Sequence, residues 1–245
     1  MQRVIVSPAQ IVDTTLTLTP DQQHYLTRVL RLQARDRFLA LDGQGHLWLA
    51  SLATDETQAT LTPIAEPTTT NTATAKPHIT LAACLPKQGF DDVVRQVTEL
   101  GVDQIVPLLS ERTLPRPSAH KLQRWRRIAT EAGEQSERLT VPTILEPTAW
   151  STWLTQPSQA HRYLCVARPP CQPLLSVCLS SRPSAVVIAV GPEGGWTEAE
   201  VTVAIANGYQ LVTLGQQILR SVTAPIAALA ILQAGIEFHQ ELCQL

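Results

Sequence analysis

The chain has 245 residues, of which 44% are hydrophobic, and carries a formal net charge of −2. That much apolar material supports one large core or two smaller ones, which excludes a disordered chain, and the near-neutral balance excludes binding nucleic acid through bulk charge alone. The longest apolar runs, at 186–190 and 226–232, fall far short of the roughly 18 residues a membrane span needs, and the amino terminus reads as a strand instead of a signal peptide, so a cytoplasmic protein is expected.

In chain order, Thr19-Pro20-Asp21-Gln22 is a helix start of the capping-box kind with proline at the first helical position. The segment from His24 to Arg31 continues that helix, with Tyr25, Leu26, Val29 and Leu30 facing inward and Arg28 and Arg31 outward. Residues 38–41 and 47–52 are β-rich runs separated by Asp42-Gly43-Gln44-Gly45, which predicts a hairpin. Short strands around one helix suggest a small barrel over residues 1–70. The threonine-rich, proline-bracketed stretch that follows has no periodicity and no large apolar group, so residues 71–77 are expected to be a linker, with a second domain over 78–245.

That second domain opens on a strand at 79–84, followed by Pro86 and Lys87. A helix from about Phe90, with Val93, Val94 and Val97 inward, stops at Gly101, and a strand follows at 105–109. Ser118 caps a long helix that runs through a basic stretch and ends before Pro142. Further strands are expected near 163–166 and 186–190. This alternation predicts an α/β domain with a mostly parallel sheet and helices on both faces.

The chain is organised around two glycine corners. The buried strand at 186–190 runs into Gly191-Pro192-Glu193-Gly194-Gly195-Trp196, after which Thr197 and Glu200 form a second capping box. The strand at 211–214 ends in Gly215 and passes through Ile218-Leu219-Arg220 into an Ala/Leu/Ile-rich helix with Pro225 near its start. Ligands of open α/β sheets sit outside the carboxyl ends of strands. Glycines at 191, 194, 195 and 215 let backbone N–H and C=O groups approach a ligand, and Leu214, Ile218 and Leu219 are either walls for a purine or ordinary core.

From Arg112 to Arg127 there are six cations (Arg112, Arg116, Lys121, Arg124, Arg126, Arg127), no acid, and Trp125. They suit phosphates with the indole stacked on a base, or equally a solvated face balanced by Glu131, Glu134 and Glu137. Gln135 and Arg138 either meet the ligand-binding corner or form i,i+4 pairs with Glu131 and Glu134. Cys84, Cys165, Cys171, Cys178 and Cys243 lack a Cys-x-x-Cys pattern and read as reduced thiols. No His/Cys/carboxylate cluster has metal-ligand spacing, so no metal is expected, and no Gly-Lys-Ser/Thr phosphate loop points to a nucleotide hydrolase.

Several of these segments together carry a resemblance: Tyr25-Leu-Thr-Arg28-Val-Leu-Arg31, Leu85-Pro-Lys87, Thr98-Glu-Leu-Gly101, Ser110-Glu-Arg112, Glu134-Gln135 with Arg138 and Val141-Pro142, Gly191-Pro-Glu-Gly-Gly195, and Leu214-Gly215 with Ile218-Leu-Arg220. In this order and spacing the sequence resembles the RsmE family of 16S ribosomal RNA (uracil-N3)-methyltransferases, of the SPOUT superfamily. The resemblance implies a PUA-like β-barrel domain followed by a SPOUT domain tied in a trefoil knot that binds S-adenosylmethionine, a homodimer formed through the C-terminal domain, and the small ribosomal subunit as partner. It assigns donor binding to Val190, Gly191, Glu193, Gly194, Gly195, Leu214, Gly215, Ile218, Leu219, Thr223 and Ala224. RNA contacts are assigned to Arg28, Arg31, Lys87, Arg112, Arg124 and Arg138, and catalysis to Arg220.

A guanidinium keeps its charge and suits the imide anion formed when uracil N3 loses its proton; the alternative for Arg220 is an ion pair with Glu193. The resemblance departs at Val222, where the family pattern usually has glutamate, and this motivates a rival reading as a non-catalytic ribosomal RNA-binding assembly factor. The helix after Pro225 is apolar on more than one face, which suits either a subunit contact or burial inside one chain.

Overall fold

A computed structural model describes residues 1–65, 76–113, 116–168 and 171–242. The expected linker at 71–77 lies mostly outside the described residues, as does Cys243. The chain divides into two compact units, one of residues 1–69 with 130–141 and one of residues 70–129 with 142–245.

The first unit contains strands β1 (Arg3–Ile5), β2 (Ile11–Val12) and β3 (Thr15–Thr17), helix α1 (Pro20–His24), and strands β4 (Arg37–Leu41), β5 (Leu47–Leu52) and β6 (Gln58–Ala65). Its six-stranded sheet has the order β1-β4-β5-β6-β3-β2. The predicted hairpin is β4 and β5, paired antiparallel from Arg37/Ser51 to Leu41/Leu47. Residues from β1 and β3 to β6, among them Val4, Leu16, Phe38, Ala50 and Leu61, meet with Leu26 in one buried core.

Thr19 caps α1 reciprocally with Gln22, as its sequence requires. The helix then widens into a π-helical turn over Tyr25–Val29, in which Leu30 N–H reaches Tyr25 C=O at 2.9 Å. The extra residue in that turn rotates the face, so Val29, expected inward, is 58% exposed. Arg31 ends the helix with φ +58°.

Residues 130–141, read from the sequence as second-domain helix, belong to this first unit because their polar groups are spent there. Glu134 Oε1 accepts the Ile5 N–H at 2.6 Å and Arg3 pairs with Glu137 at 2.9 Å. Burial raises the Glu134 carboxyl above its ordinary value, although the Ile5 N–H opposes that shift. Arg138 Nε donates to Thr140 C=O at 3.1 Å.

The second unit holds β7 (His78–Cys84), α2 (Phe90–Glu99), β8 (Gln104–Leu109), most of α3 (Ala119–Gln135), β9 (Thr143–Ile144), β10 (Thr148–Ala149), α4 (Trp150–Leu154), β11 (His161–Cys165), β12 (Gln172–Pro173), α5 (Leu174–Ser180), β13 (Ala185–Val190), α6 (Glu198–Ala206), β14 (Tyr209–Thr213) and α7 (Thr223–Leu242). Its eight-stranded sheet runs β10-β8-β7-β13-β11-β14-β12, with β9 also on β8. Every pairing in it is parallel. Helices α4 and α6 contact each other, and Trp150, Leu154 and Ala204 from them pack on Ala82, Leu164 and Ala189 of the sheet. Helix α7 packs on α2, α5 and β13, with Gly235 against Cys178 where a Cβ would meet it at 2.9 Å. The near-continuous apolar strands follow from this two-sided cover.

The sequence placed both glycine corners on one βαβ unit. In the fold β13 and β14 are not neighbours: β11 lies between them and pairs with both.

Candidate functional site

Cys165, the last residue of β11, pairs with Val190 of β13 and Val212 of β14. Three strands therefore end level, and the chain leaves them side by side at Gly191, Val166 and Leu214. These exits, with Lys87 and Gln88 after β7, border an open cleft of about 1180 Å³. Pro192 and Gln217, one from each corner, line the same cleft.

The first corner is clamped from several sides. Glu193 Oε1 accepts the Lys87 backbone N–H at 2.9 Å, and the Arg112 guanidinium donates to Gly194 C=O at 2.6 Å. Trp196 Nε1 donates to Cys165 C=O at 3.2 Å, tying this corner to the end of β11. Gly191 is needed because a Cβ there would stand 3.0 Å from the Trp196 indole, and Gly195 because its φ is +68°. The Trp196 ring lies 4.6 Å from that of Trp150, which in turn meets Tyr209 edge-on at 5.4 Å. Thr197 and Glu200 form the predicted reciprocal cap, and Glu200 Oε1 also accepts the Glu111 N–H at 3.0 Å.

The second corner is held more lightly. The Thr213 hydroxyl bonds Gly215 C=O at 2.8 Å, Ile218 is 64% exposed, and Arg220 is exposed. The Arg220 carbonyl accepts the N–H groups of Thr223 and Ala224, both at 2.9 Å, which starts α7. Val222 Cγ1 stands 3.0 Å from where a Cβ on Gly89 would be, so the loop after β7 rests on this corner.

Of the residues expected to bind a donor, Val190, Gly191, Glu193, Gly195, Leu214, Ile218, Leu219 and Ala224 line the cleft, as do Arg220 and Lys87. Gly194, Gly215 and Thr223 do not line it. The open side of Gly194 is filled by the Arg112 side chain, whose Cδ would be 3.1 Å from a Cβ. Among the described residues no ion pair joins Arg220 to Glu193, whose carboxylate is occupied by Lys87 N–H.

Two cations of the basic stretch, both expected to contact RNA, are engaged with the protein itself. Arg112 holds the first corner, and Arg124 pairs with Asp91 at 2.6 Å. Trp125, read as a base-stacking candidate, is 3% exposed, donates to Asp91 at 2.8 Å and packs edge-on against Phe90. Arg28 and Arg31 are exposed on the first unit, and Arg138 is half-buried there. Among the described residues no group of His, Cys, Asp or Glu side chains could hold a metal ion, and no helix is long and apolar enough to cross a membrane. Burial pushes the Cys84 thiol up to about 12 and also raises Cys165, so neither is a poised nucleophile.

Sequence reasoning missed the loop of Val166, Ala167 and Arg168, which lines the cleft together with Trp196, Val201 and Leu211. The strand before that loop was legible. Its place between β13 and β14 was not, because strand order leaves no periodic trace.

Comparison with known proteins agrees with this geometry. A family described as an RNA methyltransferase domain matches residues 74–233, and an RNA methyltransferase PUA domain matches residues 18–64. The ribosomal RNA small subunit methyltransferase E of Synechocystis is 45% identical over 96% of this chain and 78% of its own length. The Bacillus subtilis protein of the same name is 27% identical over 88% of each chain. The crystal structure of the Neisseria gonorrhoeae protein of that name, bound to S-adenosyl methionine, superposes with a TM-score of 0.80 at 34% identity, covering 96% of this chain and 97% of the other. With its PUA-type domain and its parallel α/β domain, the chain belongs to the ribosomal RNA small subunit methyltransferase E family of RNA methyltransferases.

Proposed function

We propose that the protein transfers a methyl group from S-adenosylmethionine to N3 of a uridine in 16S ribosomal RNA of the small subunit. The observation that carries this reading is the meeting of three strand ends in one cleft that also holds an unengaged guanidinium, Arg220. The cleft fits the donor: its volume exceeds the roughly 300–1,000 Å³ of an ordinary small-ligand pocket, leaving room for a base as well, and Leu211, Leu214, Ile218 and Leu219 supply apolar walls beside backbone groups.

The donor supplies an electrophilic methyl on a sulfonium. The chain's own groups do the rest. The clamped first corner fixes one wall, and Leu214, Ile218 and Leu219 press on the opposite side, so that binding aligns donor and base. Uracil N3 loses its proton to water, and its electron pair takes the methyl as the bond to sulfur breaks. Arg220 holds the negative charge left on the flanking carbonyl oxygens, for which a permanently charged donor is suited. Glu193 orders the turn through Lys87 N–H and is not the base. Val222 replaces a carboxylate yet packs next to Gly89, so the corner keeps its support and catalysis is favoured over a purely structural role.

Finer features belong to the same reading. The chain passes from the first domain to the second through residues 71–77, with 130–141 returning to the first, a PUA-like barrel that contacts RNA through Arg28 and Arg31. A trefoil knot in the second is supported by strand order: β13 enters between β7 and β11, and β14 between β11 and β12, after those strands are laid down. A homodimer through the second domain is supported by Leu175 and Leu179 of α5 and Phe238 of α7, which are 44%, 39% and 47% exposed. A ribosomal substrate supports a cytoplasmic location.

The test is calorimetric titration with S-adenosylmethionine together with methyl incorporation into small subunits from cells lacking this protein, mapped by mass to the modified nucleotide. Binding and a single N3-methyluridine are expected. Donor binding without incorporation would favour the assembly-factor reading, and absence of both would overturn the assignment.

A further inference from the structure

The cations of the second unit differ in what they touch. Arg95 is held by Asp92 and Glu99, Arg112 by Gly194 C=O, Arg124 by Asp91, and Arg162 by the carbonyls of Gln156 and Asn207. The side chains that border the cleft behave differently: Lys87, Arg168 and Arg220 are exposed and make no side-chain hydrogen bond or ion pair among the described residues. Arg116 and Lys121 are likewise exposed and without a side-chain hydrogen bond or ion pair among the described residues, but they do not line the cleft, whereas three such cations gather there, where a cationic sulfonium donor would bind. The donor's single carboxylate cannot account for all of that charge, whereas a phosphodiester backbone entering the cleft can.

Arg168 is the member of this set that nothing in the sequence singled out. It stands three residues beyond Cys165, on the loop that leaves the sheet between the two corners, and lines the cleft. We propose that Arg168 is a substrate-binding residue that grips an RNA phosphate next to the target nucleotide and thereby seats the base between the corners. This rests on the proposed RNA methylation. It makes Arg168 distinct from Arg220, whose role is to meet charge on the base itself. A phosphate contact positions the strand without reading its sequence, so its loss weakens capture of RNA and leaves the chemistry of the bound base intact.

The experiment compares the wild type with Arg168→Gln, Arg168→Lys and, as a control for simple loss of charge, Arg95→Gln. Binding to unmethylated small ribosomal subunits is measured across a salt series, donor affinity by calorimetry, and methyl transfer as KM and kcat for subunits. Arg168→Gln is expected to weaken subunit binding and raise KM by about tenfold, and to lower the salt slope by about one. Donor affinity and kcat should stay within about twofold, Arg168→Lys should recover most of the loss, and Arg95→Gln should match the wild type. Weaker donor binding with unchanged KM would instead assign Arg168 to the donor's carboxylate and overturn the proposal, as would no effect on either. Subunit binding that keeps its Arg168 dependence while the wild type transfers no methyl would sink the methylation reading and leave the phosphate contact standing.

Discussion

The two corners that flank the cleft are built in opposite ways. The Gly191–Gly195 turn is tied down by Glu193, Arg112 and Trp196, each bonded to a different segment of the chain. The 214–222 segment has a local Thr213–Gly215 bond, an Ile218 that is 64% exposed and an Arg220 with no side-chain partner among the described residues. A wall meant to define position is over-determined by its own protein. A wall meant to close on a ligand keeps its apolar and charged groups unspent until the ligand arrives. Mutations in the first corner should therefore cost stability and affinity together, and mutations in the second should cost function alone.

The sharpest separation is expected at Arg220. Arg220→Ala should lower single-turnover methyl transfer by about 100- to 1000-fold, with donor affinity and melting temperature unchanged; a loss of less than about threefold would remove the guanidinium from the chemistry. Trp196→Ala should do the reverse, destabilising the fold by about 2–3 kcal/mol in thermal unfolding while weakening donor binding, because the indole holds both Gly191 and the end of β11. Arg112→Ala removes a bond to an exposed loop carbonyl, so a smaller loss of about 1 kcal/mol is expected, with donor affinity falling more than subunit affinity. If subunit binding falls most, Arg112 contacts RNA and the clamp is incidental. Ile218→Ala should change stability by less than about 0.5 kcal/mol and yet weaken donor binding several-fold. Equal stability losses at Ile218 and Trp196 would erase the distinction between the corners.

Much of this was readable from residue order. Local signals carried best: the reciprocal caps at Thr19 and Thr197, the hairpin around Asp42-Gly43, and the glycine turns after two apolar strands all depend on neighbours within a few positions. What failed needed distant partners. Trp125 looked like a stacking platform among arginines, but Asp91 and Phe90, more than thirty positions earlier, draw it inside. Gly194 looked like room for a ligand and is filled by Arg112. Val29 matched the helical stripe, yet one widened turn rotated it outward. The loop at 166–168 was overlooked because only sheet order brings it to the cleft.

Trp196 borders the cleft and packs against Trp150 with the two rings tilted by 32°, while Trp153 donates to the Tyr209 hydroxyl at 2.9 Å. Trp196 is the indole of this aromatic cluster whose surroundings are expected to change when the cleft fills. Intrinsic ultraviolet emission is therefore expected to report donor arrival and product departure without a label.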